Sequence, residues 1–282
     1  MENRIKGSIF TMAALLAFSA AVLAQTAQQP APPTLKSKPV PRTADGKPDF
    51  TGFWAEWRRV NALADLGSQY AARQREINAS LPRQERLPMA LTPWAEERHA
   101  YNKDPLFLDE EGQPGERVRN ELDPSSHCFP SGPARLGAPF QIFQIPGQVW
   151  IVYQESTEVR QIFTDGRKHP EDLELTWNGH SIGTWDGDTL VVDTVGMRDE
   201  TLLDGAGHVH GPDLRIVERI RRIAYDVLQV ETTLTDPKAL TRPFTRMTTY
   251  PLAPADWDLL EDIKCEEKFQ KGIWYGEGPS GL

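Results

Sequence analysis

Few residues in this chain of 282 have the type and spacing to do chemistry, and most lie in one stretch between Leu175 and Asp236. Three of the six histidines are there: His180 within Gly179-His180-Ser181-Ile182-Gly183, and His208-Val209-His210 after the turn Asp204-Gly205-Ala206-Gly207. On an extended chain a His-x-His pair presents both rings to one side, as divalent transition metals require. With His180 or Glu218 added, His208 and His210 form a conceivable open metal site. The plain alternative is a pair of surface histidines in a polar loop.

Alternation along a strand singles out a carboxylate. In Leu214-Arg215-Ile216-Val217-Glu218-Arg219-Ile220-Arg221, Glu218 shares a face with the leucine and both isoleucines, whereas Arg215, Arg219 and Arg221 share the other. A carboxylate on an apolar face needs a reason, because burial without a partner costs several kcal/mol. Two reasons stand: a general acid or base, with His180 as its complement, or an inward ion pair with an arginine of a neighbouring strand. The same test on Thr189 to Thr194 is less decisive for Asp193, for which a cross-strand partner such as Arg219 or Arg221 is expected. Tyr153 and Trp185 are candidate apolar contacts for a ligand, and Arg135 in the irregular loop Cys128 to Arg135 is a candidate anion contact or loop clamp. Asp165-Gly166-Arg167 with His169 reads as a turn or a polar lip, and His99 as a solvated helix residue.

Gly179-His180-Ser181-Ile182-Gly183 has the letters of a Gly-x-Ser-x-Gly nucleophile elbow. That elbow needs a strand-to-helix turn, and here a strand follows. Gly205-x-Gly207 lacks the third glycine and the βαβ setting of a dinucleotide site.

The elements that must hold these residues are mostly strands. Phe140 to Ile145, Val149 to Gln154, Glu158 to Phe163, Ser181 to Trp185, Thr189 to Thr194, Leu214 to Ile223, Val227 to Leu234 and Phe244 to Tyr250 are short runs of β formers, and a further strand is expected near Leu175. Pro146-Gly147 and Asp186-Gly187 are hairpin turns. Helical spacing over residues 60 to 80, and Thr92 as N-cap before Pro93, predict helices outside the sheet or across an opening. The expected fold is mainly β: an antiparallel meander barrel with a helical insertion near the N-terminus, closed because closure removes exposed edges.

The N-terminus predicts export. Arg4 and Lys6 precede an apolar run from Ile9 to Leu23, with Val22 and Ala24 before Gln25, so residues 1–24 read as a cleavable leader and no membrane span is expected after cleavage. Residues 25–48, rich in proline, alanine and glutamine, read as a flexible tether, and 49–282 as one domain. In an oxidising compartment Cys128 and Cys265 are expected to pair. Net charge is −9, and removing Glu2, Arg4 and Lys6 with the leader makes the remainder more acidic. That surface argues against nucleic acid as a partner.

The Gly52-Phe53-Trp54 segment resembles the Gly-x-Trp that opens the first strand of lipocalin-type barrels, where the tryptophan closes the barrel floor. The His-x-His and glutamate are similar to those of cupins, but the interval from His210 to Glu218 is longer than the cupin pattern. PRTADGKPDFTGFW, CFPSGPAR, PFQIFQIPGQVWIVYQ, IFTDGRKHPEDL, GHSIGTWDGDTLVVDTVG, LRIVERIRR and TDPKALTRPF together resemble a family of secreted bacterial proteins, which implies export and brings no substrate or catalytic residue with it. The functional expectation is a periplasmic or secreted barrel acting on a small organic molecule by acid/base chemistry, as a lyase, isomerase or hydrolase. Alternatives are a non-catalytic lipocalin-like carrier and a metal-dependent enzyme using His-x-His; no cofactor is expected beyond that divalent metal.

Overall fold

A computed structural model describes residues 38–62, 67–81, 87–103, 123–127, 129–154 and 158–260. The expected leader, Cys128 and Cys265 lie outside the described residues. Nine strands form one sheet in sequence order: β1 (Gly52–Trp54), β2 (Phe140–Ile145), β3 (Gln148–Tyr153), β4 (Val159–Phe163), β5 (His180–Asp186), β6 (Thr189–Val195), β7 (Arg215–Ala224), β8 (Val227–Thr235) and β9 (Phe244–Pro251). The sheet nearly closes into a barrel. At the seam Trp54 bridges Leu252, Ala55 donates to the Pro251 carbonyl at 3.0 Å and Ala253 donates to Phe53 at 2.8 Å.

The meander is antiparallel with one exception. β4 and β5 run parallel through two residue pairs, Ile162 with Ser181 and Phe163 with Ile182. A parallel neighbour requires a long return path, which the excursion over residues 164–179 supplies. This replaces the strand expected near Leu175, where Thr176 makes only an isolated parallel bridge to Met197.

Two helical groups cover opposite ends of β7. Near its C-terminal end, α1 (Trp57–Asn61) and α2 (Gly67–Ser80) pack Trp57, Val60 and Ile77 against Ile223, Ala224 and Val227. Arg73 of α2 holds the β7–β8 turn by a forked pair to Asp226 at 2.8 and 2.9 Å. Near the N-terminal end of β7, α3 (Pro93–Asn102) packs Ala95 with Met197, Leu203, Leu214 and Ile216. No helix among the described residues is long and apolar enough to cross a membrane.

Residues 38–48 are not all tether. Arg42 forms a forked ion pair with Asp188 in the β5–β6 turn at 2.7 and 2.9 Å, and bridges Pro48. Ordered structure therefore begins ahead of Asp49, although a pair this exposed adds little stability.

The barrel interior follows the alternation that the sequence implies. Ile142, Ile151, Ile162, Leu190, Val192, Ile220 and Leu228 meet in the central core, with the fully buried Trp54 donating from Nε1 to the Phe50 carbonyl at 2.9 Å. Arg222, also inward, lies over the Trp54 ring at 5.1 Å and donates to the carbonyls of Asp49 and Tyr225. The first tryptophan thus lies in the barrel core next to the seam.

Thr92 caps α3 by accepting from the Ala95 amide at 3.3 Å, and its hydroxyl donates to the Lys238 carbonyl at 2.6 Å. Thr92→Ala should lower the unfolding free energy by about 1 kcal/mol in urea titration. A loss near zero would mean that α3 contributes nothing to the cooperative unit.

Candidate functional site

Glu218 does face the interior. It is 8 % exposed, and its carboxylate lies 2.5 Å from a guanidinium nitrogen of Arg160, itself 2 % exposed. The contact has an ion pair's distance without a well-aligned hydrogen bond. The partner is not from a neighbouring strand: β7 pairs with β6 and β8, while Arg160 comes from β4. Arg160 also donates to Ser181 Oγ of β5 at 3.1 Å and to Thr194 Oγ1 of β6 at 2.7 Å, and those hydroxyls are 2.9 Å apart. The alternation test that exposed Glu218 finds Arg160 too, since Arg160 and Ile162 share a face in Val159-Arg160-Gln161-Ile162-Phe163.

Burial works against the Arg160 charge, but the Glu218 carboxylate and Tyr153 outweigh it and hold the guanidinium firmly protonated. Burial also raises the Tyr153 phenol well above its ordinary value, and raises Tyr250 to about 12. Both phenols are therefore donors at neutral pH. Glu218, Tyr153 and Tyr250 line an interior cavity of about 30 Å³ whose remaining walls are largely apolar: Phe140, Ile142, Ile151, Ile220, Leu228 and Val230. That volume accepts about two waters, against several hundred cubic ångströms for a typical organic ligand. Pro133 and Leu136 also line the cavity, and Arg246 ties their loop to β9 by donating to the Ala134 carbonyl at 2.5 Å.

His180 is not part of this site. Ser181 and Gly183 face inward on β5, so His180 lies on the outer face, where its Nδ1 is 2.8 Å from Nδ1 of His169 and its ring stacks on Phe163 at 5.4 Å. The Glu218–His180 pairing is thereby overturned. Ile182 has the type of a core residue, yet the inner positions of β5 are the small Ser181 and Gly183, because Arg160 and Leu190 fill the space. Gly183 shows this, since a Cβ there would lie 3.0 Å from Leu190 and 3.1 Å from Ile162. Gly179 has φ +63° and a Cβ there would meet the Val195 carbonyl at 2.5 Å. Both glycines of the Gly-x-Ser-x-Gly run thus have packing reasons, and Ser181 is a buried strand residue.

The other candidates separate. Trp185 packs on Phe50 at 5.4 Å under Lys47 and does not line the cavity. Arg135 clamps its loop through Asp123 at 2.5 Å. Asp193 does have a cross-strand arginine, but it is Arg215, at 2.6 and 2.8 Å; Arg219 instead pairs with Asp186.

His208 and His210 do not form a shared ligand set. His208 bonds Asp204 at 2.7 Å and stacks on His99 at 3.9 Å, so His99 is a packed residue rather than a solvated one. His210 is buried with both nitrogens engaged, Nδ1 at 2.7 Å from the Gly211 carbonyl and Nε2 at 2.7 Å from Thr201 Oγ1. Neither nitrogen of His210 is left for a metal, and no group of three metal-capable side chains occurs among the described residues.

Two expectations follow. Breaking the interior pair from one side leaves a buried charge, so Glu218→Gln and Arg160→Met should each lose about 3–5 kcal/mol. The double variant Arg160→Met, Glu218→Leu should lose less than either in urea titration; additive losses would mean that the two groups are not coupled. Burial holds the His210 pKa below its ordinary 6.5, so the unfolded chain takes up the proton first. Its contribution is fully present above that value and is lost as pH falls through it. His99 and His180 shift the same way, chiefly through burial. Unfolding free energy should therefore drop across this window, with a shallower slope in His210→Asn; equal slopes would show that the ring protonates in place.

No family model, curated protein sequence or solved structure matches this chain.

Proposed function

We propose that this protein is a secreted barrel that binds a small, largely apolar molecule in its interior without transforming it. The carrying observation is the cavity itself: largely apolar walls with a few polar side chains, Glu218, Tyr153, Tyr250, Thr232, Thr248 and Arg246, in its lining. Arg160 fixes the Glu218 side chain, while the two phenols donate, so a hydroxyl or carbonyl on an apolar body is the ligand chemistry that fits. Entry requires the loop carrying Pro133 and Leu136 to lift, because the closed cavity holds only water.

The acid/base reading at Glu218 loses support. Its proposed complement lies across the sheet, and a carboxylate held by a buried guanidinium is suited to orienting a donor rather than to exchanging protons. Export rests on the N-terminal sequence, and the acidic balance favours a small molecule over nucleic acid as partner.

Native mass spectrometry of the purified protein, followed by titration with the ligand it carries or with an apolar fluorophore, tests the reading. Tyr250→Phe should weaken binding about fivefold, the worth of one hydrogen bond. Arg246→Ala, which unties the loop, should speed association. A protein that carries no ligand and takes up no apolar probe, or one whose affinity ignores Tyr250, is not this kind of carrier.

A further inference from the structure

The outer face of the same wall holds a second arrangement, separate from the interior cavity. His169, in the 164–179 excursion, and His180, at the start of β5, meet through their Nδ1 atoms at 2.8 Å. On the other side of His169, Nε2 lies 3.7 Å from Asp193 Oδ2 and is buried without a hydrogen-bond partner. Asp193 is held in place by the forked bond from Arg215. Phe163 backs His180, and Arg167 lies over Phe163 at 3.8 Å while pairing with Asp165.

Charge decides the tautomers. A bare lone pair on His169 Nε2 would point at a carboxylate, so Nε2 carries the proton and Nδ1 is the acceptor. His180 must then donate from Nδ1, which leaves its Nε2 as a lone pair. That nitrogen has no protein partner among the described residues and is not one of their buried unpartnered atoms, so it opens to solvent. A carboxylate, an orienting histidine and an exposed basic nitrogen in series form the arrangement by which proteins activate a nucleophile.

We propose that His180 Nε2 is a nucleophilic site for small uncharged acyl compounds, organised by His169 and Asp193. Among the described residues, the charged groups beside this pair of rings, Asp193 with Arg215 and Asp165 with Arg167, are mutually paired, which favours an uncharged substrate. Nε2 attacks the ester carbonyl carbon, a C–N bond forms, the ester C–O bond breaks and the leaving group departs with its electron pair. The His180 Nδ1 proton passes to His169 Nδ1, and Asp193 stabilises the resulting imidazolium. Water then adds its hydroxyl to the acyl carbon, the C–N bond breaks, the proton returns from His169 to His180 Nδ1, and the leaving group takes up the other proton of water.

The probe is p-nitrophenyl acetate with the full-length exported protein, read as p-nitrophenolate release. His180→Gln should bring the rate close to that of an unstructured histidine control, and His169→Gln should lower it by about tenfold or more. Burial and the neighbouring His169 and Arg167 lower the His180 pKa, so the wild-type rate should hold down to pH values below those of an ordinary histidine. Nitrogen NMR of the wild-type rings at pH 8 needs no variant: it should show His180 protonated at Nδ1 and bare at Nε2. The opposite tautomer overturns the proposal, as does a His180→Gln rate equal to that of the wild type.

Discussion

A single arginine inside the barrel constrains much of the rest. Arg160 reaches from β4 to hydroxyls on β5 and β6 and to a carboxylate on β7, so four strands converge on one buried guanidinium. A cation taken out of water is tolerable only when its donors are met. That requirement explains why Ser181 and Thr194 stand where a β-barrel would ordinarily place larger apolar groups. It also explains why Glu218 occupies an otherwise aliphatic face, and why Gly183 leaves room beside Leu190. The polar interior is one interlocked set, and no member can change alone.

The wall separates two chemistries. Inside, a guanidinium, two hydroxyls and a carboxylate hold one another in place beside a cavity with largely apolar walls. Outside, the imidazoles of His169 and His180 are linked to each other and to a carboxylate, and one ring nitrogen remains open. Adjacent residues of one strand, His180 and Ser181, belong to different environments because a strand alternates its side chains. A residue's neighbours in sequence are, in a sheet, the ones it is least able to work with.

Much of the architecture was legible because half-buried strands write their geometry as alternation. Phe140 to Ile145, Thr189 to Thr194 and Val227 to Leu234 begin within a residue or two of the observed strands, and Thr92-Pro93 marks the start of α3. Glu218 was legible for the same reason, as an acid among isoleucines. The side taken by His180 was not legible, because alternation fixes which residues share a face, not which face is inner, and Ser181 and Gly183 look too small to be core until Arg160 is known. Arg160 shares a face with Ile162, so the same alternation marks it as inward, but its partners on β5, β6 and β7 come from the fold. The parallel junction of β4 with β5 could not be read at all: it depends on the path of a polar excursion with no periodicity.

That junction has a consequence for how the chain assembles. β5 to β9 form a continuous series of antiparallel neighbours whose contacts are local in sequence, and β2 to β4 form another. Among the described residues the two meet through two parallel residue pairs between β4 and β5 and, by way of β1, through the short seam at β9, which offer few backbone bonds to join them. Local hairpins form early and distant pairings late, because loop-closure entropy must be overcome before non-local contacts stabilise. The two meanders should therefore form as separate units, and docking of the Arg160 side chain into the hydroxyls and carboxylate of the larger one completes the barrel. Pulsed hydrogen exchange would read this order directly, with β6 to β8 amides protected ahead of those in β4.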